Sequence, residues 1–131
     1  MSSLFSRIIT RELPAYIVAE DEMHIAFLDI NPNALGHTLC VPKKEVDKLF
    51  DLSTSEYQDL MMFSRSVANA LKQVVSCKRI GLTVIGLEVP HVHVHLIPLN
   101  DMADATFKKK VAPSKEEMQN LTQQISTAFK Q

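Results

Sequence analysis

Residues 91–98 read HVHVHLIP, which puts three of the chain's five histidines on alternate positions. Imidazole is neutral enough at neutral pH to attack an electrophile, yet it protonates easily enough to offset phosphate charge. It is also a common zinc ligand, and a His-x-His pair is a real ligand spacing. Side chains of a strand alternate between faces, so His91, His93 and His95 share one side while Val92, Val94 and Leu96 share the other. Neighbouring rings then stand about 7 Å apart, two strand rises. A zinc site would need a further ligand, for which the sequence offers His37, His24 or a carboxylate. Spacing alone leaves a metal site and a catalytic or phosphate-binding array equally open.

The elements that must carry this row follow from periodicity. Leu4, Phe5, Ile8 and Ile9 have helical spacing and predict a short helix ending before Pro14. Residues 16–20 and 24–29 read as strands joined by an Asp21-Glu22 turn, residues 36–41 as a third strand, and 45–50 as one or two helical turns. Ser53 to Glu56 form a capping box, with Leu52 and Tyr57 placed as a hydrophobic staple. The stripe Tyr57, Leu60, Met61, Ser64, Val67, Ala68, Leu71, Val74 and Val75 then predicts a long amphipathic helix. Strands are expected over 79–85 and 92–97, with a turn near Gly86. A second capping box at Ser114 to Glu117 opens a C-terminal helix carrying Met118, Leu121, Ile125 and Phe129. Consecutive strands, one long helix and shorter terminal helices predict an α+β fold, a five-stranded antiparallel sheet with helices on one face. With no repeat or linker, residues 1–131 read as a single domain.

Bulk composition narrows the partners. Apolar residues at 46% and charged residues at 22% are a globular balance, and a net charge of −1 argues against a general nucleic-acid binder. Lys108, Lys109 and Lys110 read as a solvated loop tip. Cys40 and Cys77 lie in apolar contexts and read as buried reduced thiols, which suits a cytoplasmic protein. No apolar run has the length of a membrane span and no signal-peptide core is seen, so no membrane partner is expected.

The wider sequence resembles the histidine-triad (HIT) superfamily, whose signature is three histidines alternating with hydrophobic residues. Beyond HVHVHLI, the segments 5–14 (FSRIITRELP), 20–21 (ED), 26–32 (AFLDINP) and 36–44 (GHTLCVPKK) recur in the same order in its small nucleotide-binding branch. The likeness is closest to the histidine-triad nucleotide-binding proteins and purine nucleoside phosphoramidases. It implies an HIT-like fold, a homodimer and a purine nucleotide substrate. It also implies that His93 attacks the α-phosphorus to form a nucleotidyl-histidine, which water hydrolyses. His37, His91 and His95 would surround the phosphate. Asp29 would accept from the ribose hydroxyls, Phe27 and Ile30 would wall the base, and Asn31 would join the nucleotide-binding loop. For Phe27, ordinary core packing is an equal expectation. Dinucleoside polyphosphate hydrolysis, or nucleotide binding with little turnover, are the alternatives.

Two departures from the family pattern stand out. Many members carry Cys-x-x-Cys before the first helix, and these thiolates help to bind a structural zinc. Here Ser3-Leu4-Phe5-Ser6 takes that place, so neither a metal nor any other cofactor is expected. Relatives also carry a Gly-rich loop ending in Gly-Gln-Ser/Thr-Val before the first histidine. This chain runs TVIGLEVP over residues 83–90, putting Glu88 where a phosphate-contacting hydroxyl would stand. Glu88 therefore either faces the phosphate or turns to solvent.

Overall fold

Ser53 and Ser114 open helices as their capping boxes predict. Each hydroxyl accepts from the backbone N–H three residues on, and the Glu56 or Glu117 carboxylate accepts in return from the serine N–H. In the computed structural model, which describes residues 3–131, these two helices are α2 (Thr54–Val74) and α3 (Lys115–Ala128). Ser3 caps the short α1 (Leu4–Ile9) by accepting from Ser6 N–H. The strands are β1 (Ile17–Glu20), β2 (His24–Leu28), β3 (Thr38–Pro42), β4 (Arg79–Thr83) and β5 (Val94–Leu99). They form one antiparallel sheet in the order β1-β2-β3-β5-β4. The chain is an α+β fold, as expected.

Alternation along the strands builds two apolar layers. Ala26, Leu28, Cys40, Val94 and Leu96 point to one face and pack with Leu60, Phe63, Val67 and Leu71 of α2 and Met118, Leu121 and Ile125 of α3. Ile25, Phe27, Leu39 and Val41 point to the other, where Phe5 and Ile8 of α1 cover them. The helices therefore lie on both faces, not one, because the even-numbered core residues of β2 need cover as well as the odd ones. His95 pairs directly opposite Leu39 and so belongs to the α1 face.

Three local differences from the expected elements have structural causes. The fifth strand begins at Val94, because Val92 N–H donates to Val46 O in the loop after β3 rather than to a strand partner. His91 and His93 thus precede the strand. The helical turns expected over 45–50 shrink to a 3-10 turn at Leu49–Asp51. Cys40 is fully buried, its thiol pushed up to about 12 by desolvation, but Cys77 is only half-buried. Gly36 is a position where only glycine fits: its φ is +96°, and a Cβ there would meet Val75 Cγ2 at 2.9 Å. That close approach turns the chain from the 29–33 loop into β3, immediately before His37. Among the described residues, no helix is long and apolar enough to cross a membrane.

Candidate active site

The three alternating histidines are differentiated by the backbone around them. His93 Nδ1 lies 2.8 Å from the carbonyl oxygen of His91. A carbonyl only accepts, so Nδ1 carries the hydrogen and the neutral ring keeps its lone pair on Nε2. Among the described residues Nε2 has no hydrogen-bond partner, and it is not sealed from solvent. Phe5 packs edge-on against this ring with centroids 4.9 Å apart, and His95 does so at 5.0 Å. The core of α1 thus holds the ring's angle.

His91 is turned into the fold. Its Nε2 donates to Pro42 O at 2.7 Å, and its Nδ1 accepts from the Ser3 hydroxyl at 2.7 Å. Ser3 N–H and the Ser6 hydroxyl both donate to Glu45 Oε1, at 2.7 and 2.6 Å. Glu45 is held down to about 2, first by the Ser6 hydroxyl and then by Ser3 N–H. Burial lowers the pKa of His91, with Pro42 and Glu45 partly opposing. In this arrangement His91 presents its carbonyl, not its ring, to His93. Ser3 and Ser6 do not fit a zinc ion. Hydroxyls are poor ligands beside thiolate, and each here is committed to a carboxylate or an imidazole.

His37 and His95 form a second unit. His37 is fully buried, and its Nδ1 accepts from Asn33 N–H at 3.0 Å. The lone pair therefore sits on Nδ1 and the hydrogen on Nε2. Nε2–H donates to His95 Nδ1 at 3.0 Å, with Asp29 Oδ2 at 3.6 Å. His95 must then carry its hydrogen on Nε2, which like His93 Nε2 is partnerless and unsealed. Burial pushes His37 down to about 3 and His95 to about 4, helped for His37 by His95 and Lys110 and for His95 by His93 and Lys110. Both rings are neutral at neutral pH. Asp29, His37 and His95 offer ligand atoms within 4.8 Å of one another. Yet a metal on His37 Nε2 would need the hydrogen moved to Nδ1, where Asn33 N–H already points. The donor set does not fit a cation. The other candidate metal arrangement, His91 with His93 and His37, is excluded by the His91 hydrogen bonds.

Of the remaining expected residues, Asp29 reaches this pair. Asp29 Oδ1 accepts from Asn31 N–H at 2.8 Å, and burial raises the Asp29 pKa against that bond and Lys110. Ile30 is 81% exposed and borders a cavity of about 250 Å³ with Tyr16, Pro113, Lys115 and Met118. Asn31 is exposed on the same loop. Phe27 is 3% exposed with its ring against Phe5, which places it in the core under α1. Glu88 is exposed, and its charge is among those that raise Asp29. Sequence reasoning missed Asn33, Phe107 and Lys110. The three lysines are exposed, as expected of a loop tip, but two are also paired: Lys109 with Asp104 at 3.1 Å, and Lys110 by donating to Asn31 O and Asn33 Oδ1 at 3.0 and 2.8 Å. The pairing of Lys110 with residues 77 and more positions away left no local signal.

Residues 10–102 match the HIT domain family. The chain belongs to that family. It is 35% identical over 132 residues to an uncharacterized HIT-like protein of Borreliella burgdorferi, covering 94% of this chain and 95% of the relative. It is also 36% identical over 99 residues to an adenosine 5′-monophosphoramidase of Saccharomyces cerevisiae, covering 75% of this HIT chain and 63% of the yeast protein. Among solved structures, an HIT-like protein of Bartonella henselae involved in cell-cycle regulation superimposes with a TM-score of 0.84 at 28% identity, covering 98% and 96% of the two chains.

Proposed function

We propose that this HIT protein is a hydrolase of purine ribonucleotide conjugates that acts at the α-phosphate, with nucleoside phosphoramidates as the preferred class. The observation that carries the reading is the bond from His93 Nδ1 to His91 O, which leaves Nε2 as an unprotonated nucleophile facing solvent. Attack by Nε2 forms an N–P bond and breaks the bond from phosphorus to the leaving nitrogen, which departs as the free amine after taking a proton from solvent. Water then attacks the phosphorus, the N–P bond breaks, and the nucleoside monophosphate leaves with His93 restored. His95 Nε2–H donates to a non-bridging oxygen as charge builds there. Asp29 accepts from the ribose hydroxyls, Asn31 holds Asp29, and Ile30 meets the base at the neighbouring cavity. The yeast relative's phosphoramidase activity supports the same chemistry here.

The test is turnover of adenosine 5′-phosphoramidate by His93→Ala. Loss of covalent catalysis should cut kcat by about three orders of magnitude or more while AMP affinity stays within about tenfold. Rapid quench of the wild type should trap a nucleotidyl-protein that the variant lacks. Near-normal turnover by His93→Ala rejects the mechanism. A second reading, nucleotide binding with little turnover, is favoured by the carboxylate of Glu88 near Asp29. Micromolar AMP affinity without turnover in the wild type would select it. A pair of thiols without a disulfide partner fits a reducing, cytoplasmic setting.

A further inference from the structure

The segment after β5 folds back over the loop that carries Asp29 and Asn33, and its contacts converge on one side chain. Asn33 is fully buried. Its Nδ2 donates to Asp104 O at 3.0 Å, and its Oδ1 accepts from Lys110 Nζ at 2.8 Å. Lys110 also donates to Asn31 O at 3.0 Å, while Val111 N–H donates to Pro32 O at 3.1 Å. Asp104 is anchored in turn, accepting from Asn100 and Asp101 N–H at 2.8 and 3.2 Å and from Lys109. The intervening Phe107 has φ of +62°, a conformation a bulky residue takes only when its surroundings impose it. Its ring packs edge-on to His95 at 5.0 Å and to His37 at 6.0 Å, with the Lys110 ammonium 5.2 Å from its centroid.

These contacts fix the direction of a hydrogen-bond chain. The backbone N–H of Asn33 can only donate, so it sets His37 Nδ1 as acceptor, His37 Nε2 as donor, His95 Nδ1 as acceptor and His95 Nε2 as donor. Reversing the chain would set two N–H groups head to head at Asn33. An added proton on either ring would likewise displace one of the two bonds.

We infer that Lys110 and Asn33 are positioning residues: by clamping the 29–33 loop they keep the Asn33 N–H on His37, and so hold His95 as a fixed Nε2–H donor toward bound phosphate. The neutral state of both rings, which burial and the Lys110 charge favour, agrees with this direction. The role at phosphate rests on the hydrolase reading; the tautomer does not.

The experiment compares the full-length wild type with Lys110→Met, Lys110→Gln and Lys110→Arg, labelled with 15N-histidine, at pH 7.5. Two-bond proton–nitrogen spectra read which ring nitrogen is protonated, and kcat and KM for adenosine 5′-phosphoramidate are measured in parallel. The wild type should show His37 and His95 wholly as Nε2–H and His93 as Nδ1–H. Lys110→Met should mix the tautomers of His37 and His95 only, and lower kcat about tenfold with KM within about twofold, because a charge-stabilising donor is present part of the time. Lys110→Gln, which keeps N–H donors without the charge, should fall between, and Lys110→Arg should restore both readouts. Unchanged tautomers in Lys110→Met overturn the inference, whatever happens to the rate. So does an effect on KM alone, which would make Lys110 a direct substrate contact. If the wild type turns over nothing, the hydrolase reading fails and the spectra alone decide the clamp.

Discussion

Ser3→Ala tests whether the serine–carboxylate cluster holds the triad in place. The Ser3 hydroxyl does two things: it accepts from Ser6 N–H as the cap of α1, and it donates to Nδ1 of His91, a ring with no solvent exposure. Losing an N-cap costs about 1 kcal/mol. Leaving a buried imidazole nitrogen without its donor costs about 1–3 kcal/mol more, since no water reaches it. The sum, about 2–4 kcal/mol, is a large share of the stability of a chain this size and corresponds to a fall in Tm of roughly 8–16 °C. Urea midpoints and thermal melts of wild type, Ser3→Ala and Ser3→Thr measure it; threonine keeps the hydroxyl and should lose little. Because His91 O anchors His93 Nδ1–H, Ser3→Ala should also lower kcat. A destabilisation below about 0.5 kcal/mol would refute the reasoning, as it would mean that Ser3 is an ordinary surface residue.

The other expectations follow from charge and edges. Stability should fall as pH drops from 7 to 5: His37 and His95 sit near 3 and 4 when folded against an ordinary value of 6.5, so the unfolded chain binds more protons in this window. Together they should cost about 4 kcal/mol there, seen as a lower urea midpoint, and a flat profile would contradict their burial as neutral rings. Glu88→Gln should raise kcat/KM a few-fold at low salt, about what one partly screened carboxylate near a phosphate exacts, with the gain shrinking as salt rises; no change places Glu88 outside the site's field. A homodimer is expected from light scattering at micromolar concentration, because β4 is an edge strand whose Leu82 is 52% exposed and α2 leaves Met62 52% exposed; a monomer's mass would refute it.

What could be read from the sequence was what is decided locally. The capping boxes at Ser53 and Ser114 need only four residues each, and both formed. Val92, Val94 and Leu96, put on one side of HVHVHLI by alternation alone, do lie together in the core with α2. The start of β5 was misplaced because it depends on Val46, far away in sequence. Ser3 and Ser6 were recognisable as replacements for thiolates, but their acceptor Glu45 lies 39 residues or more distant and carries no motif. The partners of Lys110 were hidden for the same reason: the run is exposed as expected, but the buried Asn33 that one member meets lies far away in sequence.

Two histidines two residues apart on one chain acquire opposite chemistry, and side-chain charges are not what divides them. A backbone carbonyl, His91 O, forces the hydrogen of His93 onto Nδ1 and so exposes a lone pair at Nε2. A backbone N–H, that of Asn33, forces a lone pair onto His37 Nδ1 and, through one relay bond, exposes an N–H at Nε2 of His95. Backbone groups keep their donor or acceptor role at any pH, so in the neutral rings this division is set by the fold itself. Glu45, Asp29, Glu88 and Lys110 then act on the margins, by shifting how readily each ring takes a proton or how well a phosphate is tolerated. The same ordering puts Ser3, Ser6 and Glu88 in a secondary role. Ser3 and Ser6 shape the surroundings of His91, and Glu88 those of Asp29, while two backbone groups set the nucleophile and the donor.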